Sequence, residues 1–147
     1  MLVLDTHIWH WWVNQIPGKL SSDHLDLIAE TEVVAVSAIS CFEMAWLVRH
    51  GRIEMDMSFE DWLNEVEMNS NIQILPVTAQ IATKAVHLPE HHKDPQDRII
   101  IATALQYNAQ VIKFRQCFFQ LSRVGWLFDN RIEQYRFCIR YINKDTF

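Results

Sequence analysis

Short apolar runs alternate with amphipathic stretches along most of the chain. Four of the runs are short, bounded by polar or turn residues and rich in aliphatic side chains, and each predicts a buried β-strand. These runs are residues 2–5, 33–37, 72–76 and 109–112. Because helical stretches separate consecutive strands, the pattern predicts a central parallel sheet covered by helices on both faces.

Polar residues that favour helix starts precede the helical stretches, because their side chains can accept hydrogen bonds from the exposed N–H groups of the first turn. We expect N-caps at Ser21 or Ser22, Ser40, Ser58, Thr78 and Asp94. Pro95 follows Asp94, as is common at the first position of a helix, and Asp97 then takes the third position. Gly51 is the expected stop of the helix that begins after Ser40.

The pattern breaks after residue 112. Residues 1–112 hold 6 Lys/Arg and 15 Asp/Glu, whereas residues 113–147 hold 7 Lys/Arg and 3 Asp/Glu. The second segment is aromatic and basic and has no clean period. We therefore predict a domain body over residues 1–112 and an atypical C-terminal segment, residues 113–147, packed on the same domain. This segment is either an ordinary terminal helix and strand, with residues 136–142 as the strand, or a sequence of separate origin.

Composition narrows the function classes. The chain has 147 residues, half of them hydrophobic, which suits one globular domain. Its three cysteines are far apart in the sequence and form no CxxC motif. A disulfide framework is therefore not expected, and the pattern suits a reducing cytoplasm. We also expect neither a signal peptide nor a membrane span. An acidic body argues against binding nucleic acid through phosphate contacts alone, but it is compatible with a cation that offsets clustered carboxylates.

Acidic residues follow or precede the predicted strands. Asp5 ends the first strand, Glu43 is expected in the first turn of the helix after the second strand, and Asp97 lies in the first turn of the helix that leads to the fourth strand. Sites in open parallel sheets form beyond the carboxyl ends of the strands. We expect these carboxylates to converge at one edge, where an octahedral ion such as Mg²⁺ or Mn²⁺ would relieve their repulsion and could activate water.

Four sequence motifs now identify a resemblance. In order along the chain they are LDTHIWHWW, VSAISCFEMAWLVRHGRI, LPVTAQIATKAVHLP and DPQDRIIIATAL. Their order and spacing resemble those of PIN-domain proteins, of the VapC-like toxin ribonuclease type found in bacterial toxin–antitoxin pairs. The resemblance covers about residues 1–112, and it is the set of motifs that is specific, because a single acid or a "DT" pair occurs in many proteins.

The resemblance implies a three-layer α/β/α sandwich with a central parallel sheet and Mg²⁺- or Mn²⁺-dependent cleavage of RNA. It implies that Asp5, Glu43 and Asp97 form the catalytic metal site, and that Thr6 matches a small hydroxyl residue that helps to orient this site. Members of this family commonly form homodimers and are silenced by a small antitoxin protein. We therefore expect a cytoplasmic endoribonuclease that acts as the toxin of such a pair.

One departure from the family pattern bears on activity. In the family, the strand that matches residues 109–112 usually continues to a fourth acid, whereas here VIKFRQC follows and the next acid is Asp129. A catalytically impaired PIN-fold binding protein is therefore the alternative, and a DNA-directed nuclease on the same fold is a third interpretation. A frameshift or a replaced C-terminus would explain the change, and the alternative reading frame of the gene after codon 112 tests that hypothesis.

Several residues near the predicted site also have simpler interpretations. Asp5 and Asp94 are each compatible with a role as an ordinary helix N-cap. Arg98 lies next to Asp97 and is interpreted as a supporting residue, either in an ion pair or in contact with RNA phosphate. Trp9 is interpreted as a core residue rather than a base-stacking one, and His7 as a packing or solvent-facing residue, so no histidine is assigned as a metal ligand.

Overall fold

Four short strands form one parallel sheet. The computed structural model describes residues 1–90 and 92–113, and within them the strands are β1 (Leu2–Leu4), β2 (Val34–Ser37), β3 (Ile72–Leu75) and β4 (Gln110–Ile112). Their order across the sheet is β3-β2-β1-β4, and every neighbouring pair is parallel. Leu4 of β1 is in register with Val36 of β2 and with Ile112 of β4, so these three strands end at the same edge.

Six helices connect and cover the strands. They are α1 (Thr6–Val13), α2 (Ser22–Glu30), α3 (Ala38–Arg49), α4 (Phe59–Asn69), α5 (Ala79–Val86) and α6 (Pro95–Gln106). None of the helices in this part of the chain is long and apolar enough to cross a bilayer.

Alternate residues of β1 face two separate cores, as the period of two in a strand requires. Leu2 and Leu4 pack on one face with residues from α1, α2 and α4. Val3 packs on the other face with Ile100 and Ala104 of α6. The sheet is thus covered on both sides, and the predicted three-layer α/β/α sandwich is confirmed.

The observed helix starts agree with the sequence expectations at four positions. Ser21, Ser58, Thr78 and Asp94 each accept a hydrogen bond from a backbone N–H of the helix that they begin. Gly51 follows the end of α3 with a φ of 66°, a left-handed conformation that glycine adopts without strain. Local side-chain chemistry was therefore sufficient to locate four of the six helix starts and the end of α3.

The expected N-cap at Ser40 is wrong. Helix α3 begins at Ala38, because β2 passes directly into the helix at Ser37, which is both the last strand residue and the N-cap. Ser37 makes no side-chain capping bond; its hydroxyl lies 3.0 Å from the Thr103 hydroxyl in the core. Ser40 is fully buried within the helix, and Glu43 consequently lies in the second turn of α3 rather than the first.

The C-terminal predictions fall almost entirely outside the described residues. Lys113 is the last residue that the structure describes there, so the strand expected at residues 136–142 and the packing of the C-terminal segment stay predictions.

Candidate active site

Asp5 lies where β1 ends and α1 begins. Its backbone N–H donates to the Ile112 carbonyl of β4 at 3.0 Å, and its Oδ1 accepts from the His7 backbone N–H at 2.8 Å. The residue is only 8% exposed. Asp5 is therefore an N-cap of α1, the simpler of its two interpretations, and it also stands at the edge of the sheet where a cleft residue was expected.

Glu43 reaches the same region from α3. The Thr6 hydroxyl donates to its Oε2 at 2.6 Å, which links the start of α1 to the second turn of α3. Burial raises the pKa of the Glu43 carboxyl, and the negative charges of Asp5 and Asp94 raise it further, while the Thr6 hydrogen bond opposes the shift. The carboxyl group is thus held in one orientation but poorly solvated.

Asp97 enters from the first turn of α6. Its Oδ2 lies 2.7 Å from Nζ of Lys113, the residue that directly follows β4. Burial raises the pKa of the Asp97 carboxyl, Lys113 counteracts that effect, and the negative charges of Asp5 and Asp94 add to it. Lys113 follows Ile112, whose carbonyl accepts from the Asp5 N–H, so Asp97 lies at the same edge of the sheet as Asp5, although 92 positions separate them in the sequence.

His7 is a member of this neighbourhood that the sequence analysis did not assign. Its Nδ1 lies 3.6 Å from Oδ1 of Asp5, an ion-pair distance when the imidazole is protonated. The Asp5 carboxylate raises the pKa of His7, and Glu43 and Asp97 act in the same direction, against the effect of burial. In the sequence, its position two residues after Asp5, in the first turn of α1, could have indicated that it lies near the site.

The two remaining supporting candidates have clear structural roles. The Asp94 carboxylate accepts from the backbone N–H groups of Gln96 and Asp97 at 2.8 and 3.3 Å, so it fixes the first turn of α6. Within the described residues, the Arg98 guanidinium forms no ion pair, and its contact with RNA phosphate stays a prediction. It donates to backbone carbonyls at the end of α5 and in the segment before α6, namely those of Ala85, Val86, Leu88, Pro89 and His92.

The donor chemistry of the site suits a hard divalent cation, because carboxylate and hydroxyl oxygens are the ligands that Mg²⁺ and Mn²⁺ prefer. The side chains are nevertheless paired internally: Asp5 with His7, Glu43 with Thr6, and Asp97 with Lys113. Within residues 1–90 and 92–113, no three His, Cys, Asp or Glu side chains form a ready metal-binding group. The oxygen donors of these side chains fit such an ion chemically.

The comparison with known proteins decides the family. A family model for the PIN domain matches residues 2–116. The chain belongs to the PIN-domain family. A relative of this PIN-domain protein, Ribonuclease VapC22 of Mycobacterium tuberculosis, is 33% identical over 112 residues, which are 76% of this chain and 84% of the relative.

Solved structures share the fold at lower identity. VapC20 of Mycobacterium tuberculosis, described as a Sarcin-Ricin loop cleaving toxin, superposes with a TM-score of 0.61 at 17% identity over 82% of this chain and 98% of its own. VapBC2 of Rickettsia felis, bound to a DNA fragment from its promoter, gives a TM-score of 0.55 at 19% identity, over 76% of this chain and 86% of that one. At these identities, the similarity establishes the fold.

Proposed function

We propose that this PIN-domain protein is a metal-dependent endoribonuclease that acts as the toxin of a toxin–antitoxin pair. The observations that support it best are contacts at the edge where β1 and β4 end: Thr6, next to Asp5, donates to Glu43, and Lys113, which follows β4, contacts Asp97. They bring three acids from remote segments of the chain to the same edge of the sheet. The relative at 33% identity is named a ribonuclease, which favours an enzyme over a binding protein without activity.

In this proposal the carboxylates of Asp5, Glu43 and Asp97 bind Mg²⁺ or Mn²⁺. The protein acts in the cytoplasm, where its RNA substrate is available. Such an ion, when bound, supplies an activated water and stabilises negative charge on the scissile phosphate. Thr6 orients the Glu43 carboxyl group through its 2.6 Å hydrogen bond. Asp94 fixes the helix turn that presents Asp97, and His7, when protonated, places a positive charge beside Asp5.

Two protein partners are proposed for this chain, a small antitoxin and a second copy of the chain itself. Related structures are described as toxin–antitoxin complexes, one from Klebsiella pneumoniae and one VapBC complex from Rickettsia felis, so we expect a small antitoxin to bind this chain.

We also propose that the chain forms a homodimer. Phe42 and Trp46 lie one turn apart on the same face of α3, and 58% and 47% of their surfaces are exposed, so two neighbouring aromatic side chains are available for a contact between subunits.

The test is RNA cleavage by the purified chain with Mn²⁺, compared with Asp5→Asn and Asp97→Asn. Both variants should lose cleavage and also lose the rise in melting temperature that Mn²⁺ causes by binding the folded state. Asp26→Asn, which neutralises an exposed acid of α2, is the matched control and should behave as the parent chain. Full cleavage by Asp5→Asn would contradict the assignment of the site.

A further inference from the structure

Lys113 occupies a position that the sheet register places at the acidic edge. Ile112 pairs with Leu4, and its carbonyl accepts from the Asp5 N–H, so the residue after β4 lies beside the residue after β1. The Lys113 ammonium extends from this point to Asp97 of α6, at 2.7 Å, and only 17% of its side chain is exposed. A lysine so strongly withdrawn from solvent is uncommon without a partner.

We propose that Lys113 is a built-in cationic occupant of the acidic site, which competes with the divalent cation for Asp97. This inference rests on the proposed function. An ammonium group neutralises one carboxylate but contributes no ligand, so a metal ion that binds the Oδ2 atom of Asp97 must displace it. The chain should therefore need a higher concentration of Mg²⁺ or Mn²⁺ than it would without Lys113.

The contact geometry distinguishes Lys113 from Lys84. Lys84 is partly buried, but its ammonium donates to the Gln106 side chain at 2.8 Å in a solvent-exposed contact between neighbouring helices. The Lys113–Asp97 pair is instead partly withdrawn from water, where the attraction between opposite charges is stronger and salt screens it less. Lys113 therefore competes with the metal ion for Asp97 because of where its ammonium lies, and not only because it carries a positive charge.

A role for Lys113 in orienting Asp97 would give the opposite result. If the ammonium merely held the carboxylate ready for the metal, removing it would weaken cation binding. If it competes with the metal, removing it strengthens binding. The sign of the change in affinity therefore separates the two roles.

The experiment is Mn²⁺ titration by calorimetry on the full-length chain, on Lys113→Gln and on the control Lys84→Gln. Loss of one competing charge contact should tighten Mn²⁺ binding about tenfold or more in Lys113→Gln. Lys84→Gln removes the same charge from the outer surface, and it should stay within about twofold of the parent chain. Unchanged or weaker binding by Lys113→Gln would overturn the proposal.

The outcomes also separate this inference from the proposed function. Equal Mn²⁺ binding by the parent chain and Lys113→Gln contradicts the role of Lys113 and leaves the nuclease proposal intact. No Mn²⁺ binding by any of the three chains contradicts both.

A second measurement uses the unaltered chain, in case Lys113→Gln does not fold. Trace acetylation with acetic anhydride, read by mass spectrometry, compares the reactivity of Lys113 and Lys84 with and without saturating Mn²⁺. Displacement from Asp97 should raise the acetylation of Lys113 relative to Lys84. A constant ratio under conditions where calorimetry detects Mn²⁺ binding would overturn the proposal.

Discussion

Thr6 joins two segments of the chain that are 37 residues apart, through one hydrogen bond to Glu43. From the sequence, Thr6 was recognised only as a small hydroxyl residue beside Asp5, and its partner was not predicted. Lys113 and His7 were missed for the same reason. Residue types at strand ends can be predicted from local pattern, whereas their contacts depend on how the helices pack across the sheet.

The first prediction concerns Thr6→Val, which keeps the shape of the side chain but removes its donor. Glu43 loses the hydrogen bond that fixes its orientation and lowers its pKa. We expect RNA cleavage to fall by about 10- to 100-fold, as is typical when a group that orients a metal ligand is removed. Thr83→Val on the exposed side of α5 is the control, and cleavage rates at saturating Mn²⁺ are the measurement. Unchanged cleavage by Thr6→Val would show that the bond has no role in activity.

The second prediction concerns Cys41 on α3. Burial raises the pKa of its thiol to about 11. Because the thiolate is the reactive form, its fraction at pH 8 should be about 100-fold lower than that of an ordinary cysteine, and it should increase as the pH rises towards 11. Iodoacetamide labelling at pH 8, with the Cys41 peptide quantified by mass spectrometry, should therefore be slow relative to glutathione. Rapid labelling of the folded chain would contradict this.

At the scale of the elements, hydrophobic periodicity and capping residues were sufficient to predict all four described strands and the helices between them. The error at the start of α3 arose although the end of β2 was predicted correctly at Ser37. A short connection was expected between the strand and an N-cap at Ser40, whereas the chain passes directly from the strand into the helix. Glu43 therefore lies one turn further into α3 than expected.

Helix α6 depends on its first turn, which leads to the third prediction. Asp94→Ala removes the side chain that accepts from two backbone N–H groups. We expect a loss of about 1 kcal/mol in the free energy of unfolding, and weaker Mn²⁺ binding because Asp97 lies in the same turn. Asp94→Ser keeps a capping oxygen and should retain most of the stability. Chemical denaturation measures the first effect, and stability equal to the parent chain in Asp94→Ala would disprove the cap.

The fourth prediction concerns the buried contact between β2 and α6. Thr103 and Ser37 are fully buried and their hydroxyl oxygens lie 3.0 Å apart. Thr103→Val preserves the packing volume but leaves the Ser37 hydroxyl without this partner, which should cost about 1–3 kcal/mol. Thr103→Ser, which keeps the hydroxyl, separates the effect of the hydrogen bond from that of the lost methyl group. Urea denaturation of both variants is the measurement, and a larger loss in Thr103→Ser would contradict the expectation.

At the scale of the whole molecule, the sequence predicted a parallel sheet in a three-layer sandwich but not the order of its strands. The order β3-β2-β1-β4 places the most distant strands in sequence, β1 and β4, side by side. This pairing brings Lys113 to the edge that Asp5 occupies. The convergence of the acids was expected from the rule for strand ends, whereas the arrival of a cation among them required the strand order.

The exposed face of α3 gives the fifth prediction. If Phe42 and Trp46 lie in a homodimer interface, the double change Phe42→Ser and Trp46→Ser should produce a monomer, because large aromatic side chains supply much of the binding energy of such interfaces. Light scattering after size-exclusion chromatography gives the mass directly. Met68→Ser, which alters a more exposed apolar residue of α4, should leave the mass unchanged. A parent chain that is already monomeric would refute the proposed dimer.

The direct passage from β2 into α3 at Ser37 also limits how this protein can vary. With no intervening loop to absorb a change in length, one inserted residue between Ser37 and Glu43 would turn the glutamate by about 100° around the helix axis. Point substitutions along this junction leave the angle unchanged, whereas insertions and deletions redirect the carboxyl group. Relatives that retain the glutamate should therefore differ here in the identity of residues and agree in their number.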